Sequence, residues 1–102
     1  MSRSRRVSFA ESAVADLEGI RAWYAEQQVP QVGARLIGEI LARVASLAEY
    51  PQRGRVVPEF EAPTLREVLL PPFRIVYRLD GHRVRVVRIW RSERLMGLDG
   101  IT

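Results

Sequence analysis

The sequence predicts an α+β domain: a hairpin of two antiparallel helices packed on a small, mainly antiparallel sheet, in the order β-α-α-β-β-β. Three observations predict it. Between Thr64 and Arg94, three short runs rich in Val, Ile, Leu and aromatic residues are separated by two turn signals. Ahead of them, two stretches between Glu11 and Glu49 carry apolar residues at helical spacing. The 102 residues suffice for one domain with a modest core, and no internal repeat or linker divides them.

Arg5–Phe9 alternates Val7 and Phe9 against Arg6 and Ser8, a short strand for the edge or middle of the sheet. From Glu11 to Gln28, Ala13, Leu17, Ile20 and Tyr24 form one helical face, which Val14 and Trp23 widen. Ser8, Glu11 or Ser12 is expected to cap its start. Gly19 costs about 1 kcal/mol relative to alanine, and its small size is expected to let the second helix approach closely. Val29-Pro30 ends this helix, because the residue before proline avoids the α region, and Pro30 suits the first turn of the next. From Gln31 to Glu49, Leu36, Ile40, Val44 and Leu47 form a second stripe, flanked by Ile37, Leu41 and Ala48. Tyr50–Pro63, rich in turn residues, is an ordered connection to the sheet.

Strands are expected over about 64–70, 72–79 and 83–90, with turns at Pro71-Pro72 and Asp80-Gly81. In the middle one, Phe73, Ile75, Tyr77 and Leu79 point one way, and Arg74, Val76 and Arg78 the other. In the third, the apolar side changes near Val86-Val87, which requires a bulge or a strand covered on both faces. Arg91–Met96 turns or begins a helix, and Gly97–Thr102 is expected to fray as a tail.

All sixteen basic residues are arginine; against twelve carboxylates they leave a net charge of +4. Codon bias explains part of this, and an anionic partner, nucleic acid or acidic protein, is the functional alternative. With no cysteine and one histidine, His82, the chain lacks the donors of a metal site and the pairs of a nucleophilic triad. It has no glycine-rich phosphate loop, so no cofactor or metal is expected. No apolar run reaches the roughly 20 residues of a membrane span, and a cytoplasmic protein is expected. Glu59 and Glu61 read as a solvated acidic loop.

The arginine face remains. Arg74 and Arg78 lie about 13 Å apart along one strand. Arg66 is expected to share their face, and Arg83 and Arg85, or else Arg88, extend it. Such a surface holds phosphates or carboxylates, unless its arginines are paired with Glu67 and Asp80.

These motifs, in this order, resemble the RelE/ParE-type toxins of bacterial toxin–antitoxin modules. The segment LAEYPQRGRVVPE, ending at Glu59, is similar to that family's L-x-x-x-P-x-x-G-R-x-V-P-E. Arg66-Glu67 followed by PPFRIVYRLDGHRVRVVRIWRSERL is similar to its R-E…Y-R-I-x-Y-R…V-x-V-x-x-V-x-H-x-x-R. The resemblance spans Val7 to Leu95 and implies a helical hairpin on an antiparallel sheet. It implies one of two activities. RelE-like members cleave mRNA in the ribosomal A site, with basic side chains at the phosphate and a late proton-transfer group. ParE-like members poison DNA gyrase without known hydrolysis. Both are neutralised by an antitoxin whose C-terminal segment wraps the toxin; a ParD-like antitoxin with an acidic segment is the expected partner here.

Arg74 matches the arginine of the family's Y-R motif, with Phe73 in place of the tyrosine. Leu65 and Glu67 stand where RelE-like nucleases carry lysines, Arg91 where many members have histidine, and no tyrosine follows Tyr77. An arginine stays protonated and is a poor general base, though it can stabilise a transition-state phosphate. These departures favour the ParE-like branch, with Arg66, Arg74, Arg78, Arg91 and Arg94 as candidate target- or phosphate-binding residues. In the alternative, a ribosome-dependent mRNA endonuclease, Glu67 or Glu93 would be the base. A non-toxic nucleic-acid-binding module is the third class.

Overall fold

The computed structural model describes residues 6–60, 62–81 and 83–91. Strand β1 (Arg6–Phe9) leads into helices α1 (Glu11–Glu26) and α2 (Pro30–Ser46). After them come the two-residue β2 (Arg55–Val56) and the longer β3 (Leu65–Leu70), β4 (Phe73–Asp80) and β5 (Arg83–Arg91). The strands form one sheet in the order β1-β5-β4-β3-β2. All neighbours are antiparallel except β1, which lies parallel to β5 at an edge. The α+β class and the element order are as the sequence predicts; β2, inside the expected connection, is an addition too short to show periodicity.

The helical stripes bury what they promise only on their inner side. Ile40, Val44 and Leu47 are buried with Ala13, Tyr24, Phe73, Ile75 and Tyr77 in the main core, against which Leu17 and Ile20 pack half-buried. Val14, Trp23 and Leu41 do not widen the core; each is more than 40% exposed. The glycine that permits close helix approach is also a different one. Gly19 has open space around it, whereas a Cβ on Gly33 would lie 2.9 Å from that of Tyr24.

No side chain caps α1: its N-cap is Ala10. Ser12 instead donates from Oγ to the Val87 carbonyl at 2.6 Å, joining α1 to β5. At the other end, Gln28 takes φ 64°. The amides of Gln28 and Val29 donate back to the carbonyls of Ala25 and Tyr24, the reversed-turn ending that closes many helices.

The β-bulge expected in the third strand is present. Val76 faces Arg88 and Tyr77 faces Val86, leaving Val87 as the extra residue. Both faces of the sheet are also covered. Away from the helices, Val57, Leu65, Val76 and Trp90 form a second small core under Phe60 and Ala62. The segment after β2 thus lies on the far face as a cover.

Candidate functional site

Alternation along β3 and β4 sets which arginines meet. Glu67 pairs with Val76 and Arg74 with Leu69, so Glu67 and Arg74 both point away from the helices. The Glu67 carboxylate is fully buried there. It accepts from Arg55 Nε at 2.6 Å and from Arg74 Nε at 2.8 Å, with Arg74 Nη2 as a third donor. The outer edge of the Arg74 guanidinium faces Glu59, with both Nη atoms donating at 3.1 Å. Burial opposes the charge on Arg74, yet the hydrogen bonds and field of Glu59 and Glu67 raise its pKa above the ordinary arginine value. The result is a neutral chain of four groups, Arg55–Glu67–Arg74–Glu59.

Glu59 is therefore not part of a solvated loop; it closes over Arg74. Glu61 lies outside the described residues, as do His82, Glu93 and Arg94.

The expected arginine face divides between the two sides of the sheet. Arg78 is exposed on the far face, opposite Arg85. Arg66 does not share that face: it faces Tyr77 on the helix side, because one residue separates it from Glu67 and successive side chains alternate. Its Nη1 donates to the Gly54 carbonyl at 3.0 Å, and its Nε has no partner among the described residues. Arg91 is also on the helix side, with its guanidinium 5.3 Å from the Trp23 ring centre and 5.9 Å from that of Phe73. Asp16, Gly19, Trp23, Phe73, Ile89 and Arg91 line an open groove of about 450 Å³ there.

Two further arrangements carry no motif in the sequence. Asp16 on α1 accepts the Ile89 amide at 2.8 Å and pairs with Arg88, whose guanidinium lies 4.5 Å from the Trp90 ring centre. It thereby occupies the edge of β5 beyond the end of β1. Tyr77 donates to the Pro51 carbonyl and accepts the Gly54 amide at 3.0 Å. A Cβ on Gly54 would lie 2.6 Å from both the Tyr77 hydroxyl and the Glu67 carbonyl oxygen, so only glycine fits. Neither was visible beforehand, because the partners are more than twenty residues apart.

Burial raises the Tyr77 pKa above its ordinary value of 10.0. A raised folded-state pKa contributes stability that is complete below pH 10 and is lost as pH climbs through the folded value. Tyr77→Phe, which strands two backbone groups, is expected to cost about 1–3 kcal/mol at neutral pH. The gap between wild type and variant should narrow above pH 10, as denaturant unfolding across pH 7–11 would show. A gap constant with pH would disprove the titration argument.

A helical hairpin over one face of a five-stranded sheet, with arginines on both sides, is the architecture of a small bacterial toxin of the toxin–antitoxin kind. A family model described as the ParE toxin of type II toxin–antitoxin system parDE matches residues 7–96, and the chain belongs to that family. Toxin RelE2 of Caulobacter vibrioides is 40% identical over 84 residues, 81% of this chain and 90% of that protein. Toxin RelE1 of the same organism is 39% identical over 81 residues, 76% of this chain and 82% of that protein. Among solved structures, the chromosomal ParDE system from P. aeruginosa aligns with a TM-score of 0.74 at 26% identity, over 88% of this chain and 98% of that one. The RelBE2 toxin–antitoxin complex from Mycobacterium tuberculosis shares the fold, with a TM-score of 0.61 at 20% identity over 86% and 98% of the two chains. The protein is a type II toxin–antitoxin toxin of the RelE/ParE superfamily. No helix among the described residues is long and apolar enough to cross a membrane.

Proposed function

We propose that this toxin is ParE-like: it arrests growth by binding DNA gyrase, and a cognate ParD-like antitoxin with an acidic wrapping segment neutralises it. The observation that carries the gyrase reading is the enclosure of Arg74. This is the arginine that matches the family's phosphate-binding position, and four hydrogen bonds from its five N–H donors go to Glu67 and Glu59. Proton transfer from a ribose hydroxyl favours a base titrating near neutrality within hydrogen-bond reach of the site. Around Arg74 stand two carboxylates already bonded to it, and Tyr77 is buried on the other face with its hydroxyl occupied. The fold likeness to the P. aeruginosa ParDE system supports the same reading.

The RelE-like nuclease is the second reading, favoured by the names of the two Caulobacter relatives. A side-by-side assay separates them. One arm follows gyrase supercoiling and cleavage-complex formation, the other mRNA cleavage on programmed ribosomes. Inhibited gyrase with intact mRNA is the expected result; codon-dependent cuts at the A site with supercoiling untouched would overturn it. The partner is tested by co-expression with the adjacent reading frame, where the two proteins should co-purify. Of the arginines suggested by sequence, we place the target contact at Arg78 and Arg91, whose side chains are exposed, with Arg66 and Arg74 supporting the surrounding backbone and sheet.

A further inference from the structure

On the face away from the helices, the arginines fall into two sets. Arg55, Arg74 and Arg88 are neutralised by Glu67, Glu59 and Asp16. Toward the β1 edge, Arg6, Arg78, Arg83 and Arg85 are all exposed, and none forms an ion pair among the described residues. Their register is unusual. Arg78 lies directly opposite Arg85, and Arg83 directly opposite Arg6. Like charges facing each other across strands destabilise a sheet. Asp80, opposite Arg83, is the one carboxylate in the register of this end. Ser8, opposite Arg85, adds a hydroxyl between them. In the sequence, Arg3 and Arg5 come just before Arg6.

We infer that this four-arginine patch is a docking surface for the phosphate backbone of a nucleic-acid duplex. Three features select that partner. The cations spread over three adjacent strands, about 5 Å apart across the sheet and about 7 Å apart along it, an area rather than a line. Among the described residues no apolar anchor stands between them: the exposed large hydrophobic residues there are Val14, Trp23, Leu41, Tyr50, Val56 and Leu69, on the helices, the loop after them or the opposite end of the sheet. Protein interfaces draw much of their affinity from a few desolvated hot spots, in which arginine is joined by Trp and Tyr packed in pockets, whereas phosphate binding is carried by exposed cations alone. Among the described residues, no aromatic ring interleaves the patch, as base stacking on a single strand would require. This surface is separate from the enclosed Arg74 and shares Arg78 with the proposed target contact; its test involves neither gyrase nor ribosomes, so its failure is distinguishable from failure of the proposed function.

The test is fluorescence anisotropy of the purified protein with labelled 20-base-pair DNA and RNA duplexes and the matching single strands, across 50–200 mM salt. Each phosphate contact contributes about 0.9 to the slope of log affinity against log salt. Arg78→Ala/Arg85→Ala should therefore bind with a slope shallower by about 1.8, so that its salt sensitivity over this range falls by about 12-fold. Both side chains are exposed, and removing facing like charges leaves the fold intact, which circular dichroism verifies. Arg21→Ala/Arg35→Ala, which removes the same charge from the exposed helix surfaces, should leave the slope unchanged. Tighter binding of either duplex than of its single strands supports the inference, and their order identifies DNA or RNA. Equal slopes for the two double variants, tighter binding of single strands, or stronger binding of a polyglutamate peptide of matched charge would overturn it.

Discussion

Glu67→Ala is expected to remove about 3–5 kcal/mol of folding stability, the loss typical of breaking a buried ion pair from one side. The Glu67 side chain is fully buried and Arg74 only 8% exposed. Without Glu67, the inner edge of the Arg74 guanidinium loses its acceptor while the charge stays out of water. Arg55 loses little, because its own side chain is 59% exposed and water replaces the carboxylate. Domains of this size are stable by about 5–15 kcal/mol, so the variant should sit close to its unfolding midpoint in mild denaturant. Glu67→Gln keeps one oxygen acceptor in place and should lose less. Replacing both partners by apolar residues, as in Glu67→Met/Arg74→Leu, should recover most of the loss of the single variant, since the desolvation of two charges disappears with their attraction. Urea unfolding of the three variants is the measurement. A loss below about 1 kcal/mol for Glu67→Ala would mean that water reaches Arg74 once Glu67 is gone.

The second large effect is expected at Ile40. It is fully buried where α2 meets the sheet, among Leu36, Val44 and Ile75 in the main core. Ile40→Ala removes three carbons and leaves a cavity that the surrounding core closes only in part, at a cost of about 2–5 kcal/mol. Leu41, next in sequence but 43% exposed, is the internal comparison. Leu41→Ala should change stability by about 0.5 kcal/mol or less. An unchanged denaturant slope in both variants would confirm that the native state, and not the unfolded chain, is what changed. Equal losses at the two positions would contradict the packing described.

The sequence by itself determined the elements. Two helical stripes and three alternating strands are local periodic signals, and each was legible within a window of a few turns or residues. It also placed a discontinuity in the last strand, because the apolar pattern changed sides within β5; the bulge at Val87 and the second core are its cause. The resemblance carried by Arg55, Glu59, Arg66, Glu67 and Arg74 was likewise in the sequence, and the family match agrees with it.

Only the tertiary structure decided what those residues touch. Glu67 and Arg74 could be assigned to faces by alternation, but the strand register that brings them together depends on the turn at Pro71-Pro72 and on burial. Glu59 looked like a loop acid because nothing local reveals that its loop folds over the far face. Similar charge suggests one surface for Arg66 and Arg74, but one odd-numbered step in alternation puts Arg66 on the opposite side. Gly33 and Gly54 differ from Gly19 only in what approaches them, a fact with no local signature. The exposed patch at Arg6, Arg78, Arg83 and Arg85 joins the first strand to the last two, and it exists because β1 returns parallel to β5 after the helices. Local chemistry sets which element a residue joins, while long-range pairing sets whether its charge is spent inside the fold or left facing solvent.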